Sequence, residues 1–251
     1  MNRDLSAARV FAHVALEIGT TEALTSARLI AVQRAGEVLG CGSALLVEER
    51  PDGRLGCLAA TDDHDAQELS GIIRTTRDGP FRCALDDVAA TVHVTKLESD
   101  GRWALFRRHA MAQTSIRSGA YVRLQVGEER LGVLGLFSER SEHFDAQAVD
   151  ALDLLGAHIA LALARVTSRS NAAHLRVALD SNREIAMAIG IIMNNRKLDQ
   201  PRAFDLLRAV SQHQHTKLRE LAASIVLTGE IPEAEHVRRA PAKLMPSGAP
   251  T

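Results

Sequence analysis

Apolar residues recur at helical spacing over the first forty positions. Residues 4–17 and 21–39 read as amphipathic helices; in the second, Leu24, Ala27, Ala31, Ala35 and Val38 form the apolar side, with Arg28, Arg34 and Glu37 elsewhere. Gly40 and Gly42 break that pattern. Ser43 to Glu48 and Leu55 to Thr61 then read as strands, separated by the Pro-Asp-Gly turn of "ERPDGR", a hairpin signature. A short helix follows from Asp65 to Thr75, ending near Gly79-Pro80. Residues 88–97 alternate as a strand around Val92 and Val94, and a charged loop, "ESDGRW", leads into a helix from Phe106 to Ser115. Ala120 to Val126 and Leu131 to Phe137 make a second hairpin around "GEER". Helices interleaved with antiparallel hairpins predict an α+β domain.

The pattern then becomes wholly helical. Residues 141–166 carry a stripe of Leu152, Leu155, Ile159, Ala162 and Val166 at steps of three and four. The polar run "TSRSN" (167–171) interrupts it, and a second stripe of Leu175, Leu179, Asn182, Ala186, Ile189 and Met193 continues in a shifted heptad phase. With no Pro or Gly in the interruption, one continuous helix is expected, the alternative being two helices joined by a loop. Either way the stripes suggest a homodimer seam. Asn182 at a seam position would pair with its equivalent in a parallel dimer and fix register, or else lie on the surface. Asp199 is the expected N-cap of a further helix that tolerates Pro201 in its first turn and ends about Gln214. His215 or Thr216 opens a last helix that stops at Gly229, before Pro232. The tail, 232–251, holds four of the seven prolines and is expected to be disordered.

Composition narrows the chemistry. Aromatics are only 3% of 251 residues, which argues against a broad base-stacking platform. The net charge of −1 is unevenly spread: residues 1–171 balance to −4, and residues 172–251, with 11 basic and 8 acidic side chains, to +3. A polyanionic partner would therefore favour the C-terminal part. Cys41, Cys57 and Cys83 form no CxxC pair, so neither a disulfide framework nor a zinc site is expected. His213 and His215 lack further ligands and read as helix-end histidines. No metal or cofactor is expected. There is no phosphate-cradling glycine loop and no triad spacing. No secretion signal and no long apolar run are evident, and a cytoplasmic protein, without membrane contact, is the simplest expectation.

Residues 181–226 resemble the ANTAR domain of antitermination regulators. The resemblance rests on Arg183, Ile185, Ala188, Gly190, Met193, Ala203, Phe204, Leu207, Arg208, Lys217, Leu218 and Ala222, in order and without gaps. Ile189 replaces the Lys frequent just before that Gly, and His215 the Asn frequent two residues before that Lys. Residues 5–165 resemble GAF domains, on "GPFRCAL" (79–85), "VHVTKLESDGRWALF" (92–106), "ERLGVLGLFSERSEHFD" (129–145) and "AHIALALA" (157–164).

The resemblances imply a GAF-type sensor over 1–165 and an ANTAR domain with its connecting helix over 166–231. The sensor would be an antiparallel sheet with flanking helices, the C-terminal domain three helices. The implied function is binding of hairpins in nascent RNA so that an antiterminator forms and polymerase reads through, without enzymatic activity. Arg183, Gly190, Arg196, Lys197, Arg202, Arg208, Lys217 and Arg219 are the RNA-contact candidates. Gly190 in a helix is explained by close approach of RNA or by helix packing. Phe204 is expected in the core. Trp103 and Phe106 either line a pocket for a small-molecule signal or belong to the core. Two other classes stay open: a sensor whose helical C-terminus binds a protein partner, and a cysteine-dependent GAF enzyme.

Overall fold

A computed structural model of the chain describes residues 2–76, 78–86 and 91–232. The disorder expected of the tail, residues 232–251, falls outside the described residues apart from its first position. The chain divides into two compact units, meeting at Asn171/Ala172.

The first unit opens with α1 (Asn2–Thr20) and α2 (Leu24–Leu39), then β1 (Ser43–Glu49) and β2 (Leu55–Ala60). α3 (His64–Thr75), α4 (Pro80–Asp86), β3 (Thr91–Val94), a 3-10 turn (Leu97–Ser99) and α5 (Ala104–Gln113) follow. β4 (Ser118–Val126) and β5 (Glu129–Ser138) complete an antiparallel sheet of order β2-β1-β5-β4-β3. Both hairpins and both leading helices stand where the hydrophobic pattern puts them. α4 occupies a stretch to which the hydrophobic pattern assigns no element. Pro80 sits at its first position, where the missing N–H costs nothing, and Phe81, Ala84 and Leu85 bury one face at helical spacing. The seven-residue length kept that signal short.

Strand alternation divides the interior in two. Ala44, Leu46, Ala120, Val122, Leu124, Leu134 and Leu136 face one way, against α1, α2 and α6 (Ala146–Arg196). Leu45, Val47, Val92, Val94, Tyr121, Val133 and Phe137 face the other, against α3, α4 and α5. Because both faces are covered, the central strands read as near-continuous apolar runs. At Gly132 the β4–β5 ladder shifts register, between Leu124 and Gln125. Its φ of +131°, with the position a Cβ would take only 2.4 Å from the Val47 carbonyl oxygen, leaves glycine as the residue that fits.

α6 is one helix of 51 residues, so the continuous reading of the two stripes holds. Its first stripe is not a dimer seam, however. Leu152, Leu155, Ile159, Ala162 and Val166 are all buried under the sheet of their own protomer. Heptad-like steps of three and four equally describe any helix face packed on a core.

The second unit holds the end of α6, α7 (Gln200–His213) and α8 (Leu218–Thr228). Its core is Ala188, Ile189 and Ile192 from α6, Ala203, Leu207 and Val210 from α7, and Leu221, Ala222 and Ile225 from α8. Asp199 caps α7, its carboxylate accepting from the Arg202 N–H at 3.0 Å, with Pro201 in the first turn. Gly229 ends α8 in a left-handed conformation. Among the described residues no helix is long and apolar enough to cross a membrane.

Candidate nucleic-acid interface

The basic candidates of the second unit lie on helix faces and turns outside its core. Arg183 and Gly190 are two turns apart on α6, on the side away from Ala188 and Ile192, and both are exposed. Arg196 ends α6 and Lys197 lies in the turn after it, at φ 53°. Arg202 is in the first turn of α7, and Arg208 is exposed on its flank. Lys217 is the N-cap residue of α8, not inside its first turn, and Arg219 is the second residue of that helix.

These positions form two groups. Arg196, Lys197 and Arg202 cluster about the α6–α7 turn; Lys217 and Arg219 lie at the α7–α8 turn. The groups sit at opposite ends of the 14-residue α7, roughly 20 Å apart at 1.5 Å per residue. Arg208 lies between them along α7. The cations therefore follow the length of a helix rather than converging at one spot. Two have loose acidic neighbours: Arg202 Nε is 3.9 Å from Asp199, and Lys217 Nζ is 3.8 Å from Glu220. Such exposed pairs hold a side chain only weakly.

Gly190 meets nothing in its own protomer. A Cβ added there has no heavy atom within 4 Å, so helix packing within the chain does not explain it. Ile189, one residue earlier, is 9% exposed and belongs to the three-helix core. An apolar side chain in place of the frequent Lys thus packs inward. His215 adopts φ 52°, a left-handed conformation in which Asn and His are enriched. That accounts for Asn being frequent there and for His being accepted.

Phe204 is a correction. It was expected in the core but is 38% exposed. Ala203, Leu207 and Val210 define the buried side of α7. The residue after Ala203 is rotated about 100° from that side. Counting from Ala203 would have found it, but the aromatic identity suggested burial.

In the first unit, Trp103 and Phe106 belong to the core facing α3 to α5. The space beside Phe106, bounded by Ile73, Gly79 and Phe81, leaves no room for a water molecule. Tyr121 stacks edge-on against Phe81 and Phe137, at centroid distances of 5.0 and 5.5 Å. Arg102 lies over Trp103 at 4.3 Å and donates to the His93 carbonyl at 2.7 Å. Its hydrogen bonds to Asp100 hold that carboxyl below the usual carboxylate range. Cys41 and Cys57 carry free thiols, and all three cysteines are partly buried. Burial pushes the Cys41 thiol up to about 11 and raises Cys57 as well, the opposite of an activated nucleophile. Among the described residues no cluster of His, Cys, Asp or Glu is arranged to hold a metal ion.

The fold and the two stripes of α6 define a sensor-type α+β domain joined by a helix to a three-helix domain. The family model for the GAF domain matches residues 22–164 and that for the ANTAR domain residues 173–226. The chain belongs to the GAF family and carries an ANTAR domain at its C-terminal side. GAF domains are sensor modules and ANTAR domains are RNA-binding antitermination modules.

Solved structures similar to the first unit are GAF domains. One comes from a phosphoenolpyruvate-protein phosphotransferase of Coxiella burnetii: 14% identity, TM-score 0.52, covering 66% of this chain and 98% of that one. A free methionine-R-sulfoxide reductase from Neisseria meningitidis, in complex with its substrate, has 14% identity and TM-score 0.51, covering 65% and 91%. A phycoerythrobilin-bound GAF domain from a cyanobacterial phytochrome has 11% identity and TM-score 0.51, covering 65% and 97%. At these identities the likeness is one of fold. No curated protein matches the chain in sequence.

Proposed function

We propose that this protein is a signal-responsive antitermination regulator. Its ANTAR domain grips hairpins of a nascent transcript, favouring the antiterminator, while its GAF domain receives a small-molecule signal in the cytoplasm. The observation that carries the reading is the row of exposed cations along α7 and its two flanking turns, in a domain whose family binds RNA. Phosphates are met by Arg208 and by the turn residues Arg196, Lys197, Arg202, Lys217 and Arg219; Arg183 and Gly190 extend the contact along α6. Unpaired loop bases carry the sequence information.

The working form is a homodimer, because two hairpins engaged together gain effective concentration. Leu175, Leu179, Asn182 and Ala186 are exposed at alternating steps of four and three, and nothing in the protomer covers them. The same heptad frame, extended toward the N-terminus, passes through Leu161 and Leu154. These leucines are 59–61% exposed, as are Leu175 and Leu179. In the GAF domain a ligand would have to displace Trp103 or Phe106 to enter the α3–α5 side of the sheet.

The test is a gel shift of the full-length protein on leader RNA across a salt series. Lys217→Ala should bind roughly 1–2 kcal/mol more weakly, as for a charged hydrogen bond. Its log affinity against log salt should be shallower by about one unit or less. A wild-type protein that shifts no leader RNA at any salt, yet captures a protein partner through α7 and α8, would sink the proposal.

A further inference from the structure

The chain has one Trp, one Tyr and six Phe. Seven of these eight are buried, none more than 9% exposed; the remaining one is Phe204, at 38%. The exception stands in the ANTAR domain, amid the row of cations. Phe204 and Arg208 are one turn apart on α7, close enough for their side chains to be neighbours. More than a third of this side chain stays open to solvent, unlike every other aromatic of the chain.

We infer that Phe204 is a stacking platform for one unpaired base of the bound RNA, with Arg208 beside it on the adjoining phosphate. This rests on the RNA-binding reading. A phenyl face accepts any base, so the contact adds affinity at the hairpin loop, where bases are unstacked, and not on the stem. One ring is also consistent with an aromatic-poor chain: the domain reads a loop through a single stacked base, not through a sheet of aromatics.

The experiment starts from a pool of hairpin RNAs with a constant stem and a randomised loop, selected on the full-length protein. Each loop base of the recovered RNA is replaced in turn by 2-aminopurine, whose fluorescence falls on stacking. One position should quench with the wild type and with Phe204→Tyr. Phe204→Leu, which keeps an apolar side chain of similar size, should lose that quench and bind roughly tenfold or more weakly. Its salt slope should equal the wild type's, because no charge is removed, whereas Arg208→Gln should flatten the slope. Helicity, melting temperature and light scattering of Phe204→Leu should match the wild type. Equal affinity and equal quench in Phe204→Leu would overturn the inference and leave RNA binding standing. A Phe204→Leu protein that dissociates into monomers would overturn it in favour of a contact between copies. If the wild type recovers no RNA, the RNA-binding reading fails first and the inference falls with it.

Discussion

Single side chains separate what supports this fold from what its surface offers. Leu207 is 1% exposed and central to the three-helix core, so Leu207→Ala should cost about 2–5 kcal/mol. Phe204→Ala should cost well below the ~3–5 kcal/mol of a buried aromatic, although Phe is the larger residue. Urea titration of the two variants checks the order. Gly190→Ala should raise stability by about 1 kcal/mol, the usual helix penalty of glycine, because open space surrounds the new methyl group. The same variant should weaken RNA binding if the missing Cβ admits the RNA backbone; thermal melting and a binding titration separate the two effects. Cys41 tests the cysteine chemistry open to some GAF domains. With its thiol at about 11, only about a thousandth is thiolate at pH 8. Iodoacetamide labelling of Cys41, followed by mass spectrometry, should therefore be slow and rise about tenfold per pH unit between pH 8 and 10. Fast labelling at pH 7 would contradict the burial that raises it.

At the scale of elements, most of the architecture was legible from hydrophobic period and turn chemistry. The hairpins at "ERPDGR" and "GEER", the Asp199 cap and the Gly229 stop are local signals, each sufficient to place a boundary. What was not legible depended on neighbours. α4 was too short for a period to show. The stripe Leu152–Val166 has the spacing of a coiled coil, and only the sheet beneath it reveals an intramolecular partner. Phe204 lies outside the core expected for it, and Ile189 of the second stripe lies inside the three-helix core, because the register of α6 and α7 against α8 decides which side is interior. The cations were legible as residue types, and with α7 expected from the Asp199 cap to about Gln214 so was their division between its two ends. The exposed stretch of α6 is where the homodimer is tested. Leu179→Lys puts two like charges into the proposed seam, and light scattering at micromolar concentration should report monomers, with RNA affinity falling in step. Asn182→Val should tighten the dimer while loosening its register, since a buried Asn pair trades stability for alignment. Dimers that persist in Leu179→Lys would place the interface elsewhere.

For the whole molecule, the question is how a signal at one unit alters binding at the other. A ligand shifts only an equilibrium between states it binds differently, so the two units need a shared element with alternative states. α6 is that element by sequence: it supplies Leu152 to Val166 to one core and Ala188 to Ile192 to the other. Between them, residues 171–180 are all exposed. An uncovered helical segment of this length is marginal by itself, and in the proposed dimer a second copy would steady it. Polar Ser168 and Asn182 flank its leucines in the heptad frame, which keeps the seam short of full stability. Such a segment can fray in one state and zip in another at small cost, and in the proposed dimer RNA binding would follow its state. Ala173→Pro tests this in the intact chain. Proline removes a backbone hydrogen bond and clashes with the preceding turn, costing about 3 kcal/mol in a helix interior. Amide exchange in the flanking turns should accelerate, while β4, β5, α7 and α8 keep their protection, because neither core contains residue 173. RNA affinity should fall by the loss of dimeric engagement, and a covalent cross-link between copies near residue 179 should restore it. Full affinity in Ala173→Pro, with the segment frayed, would show that α6 carries no coupling between sensor and RNA surface.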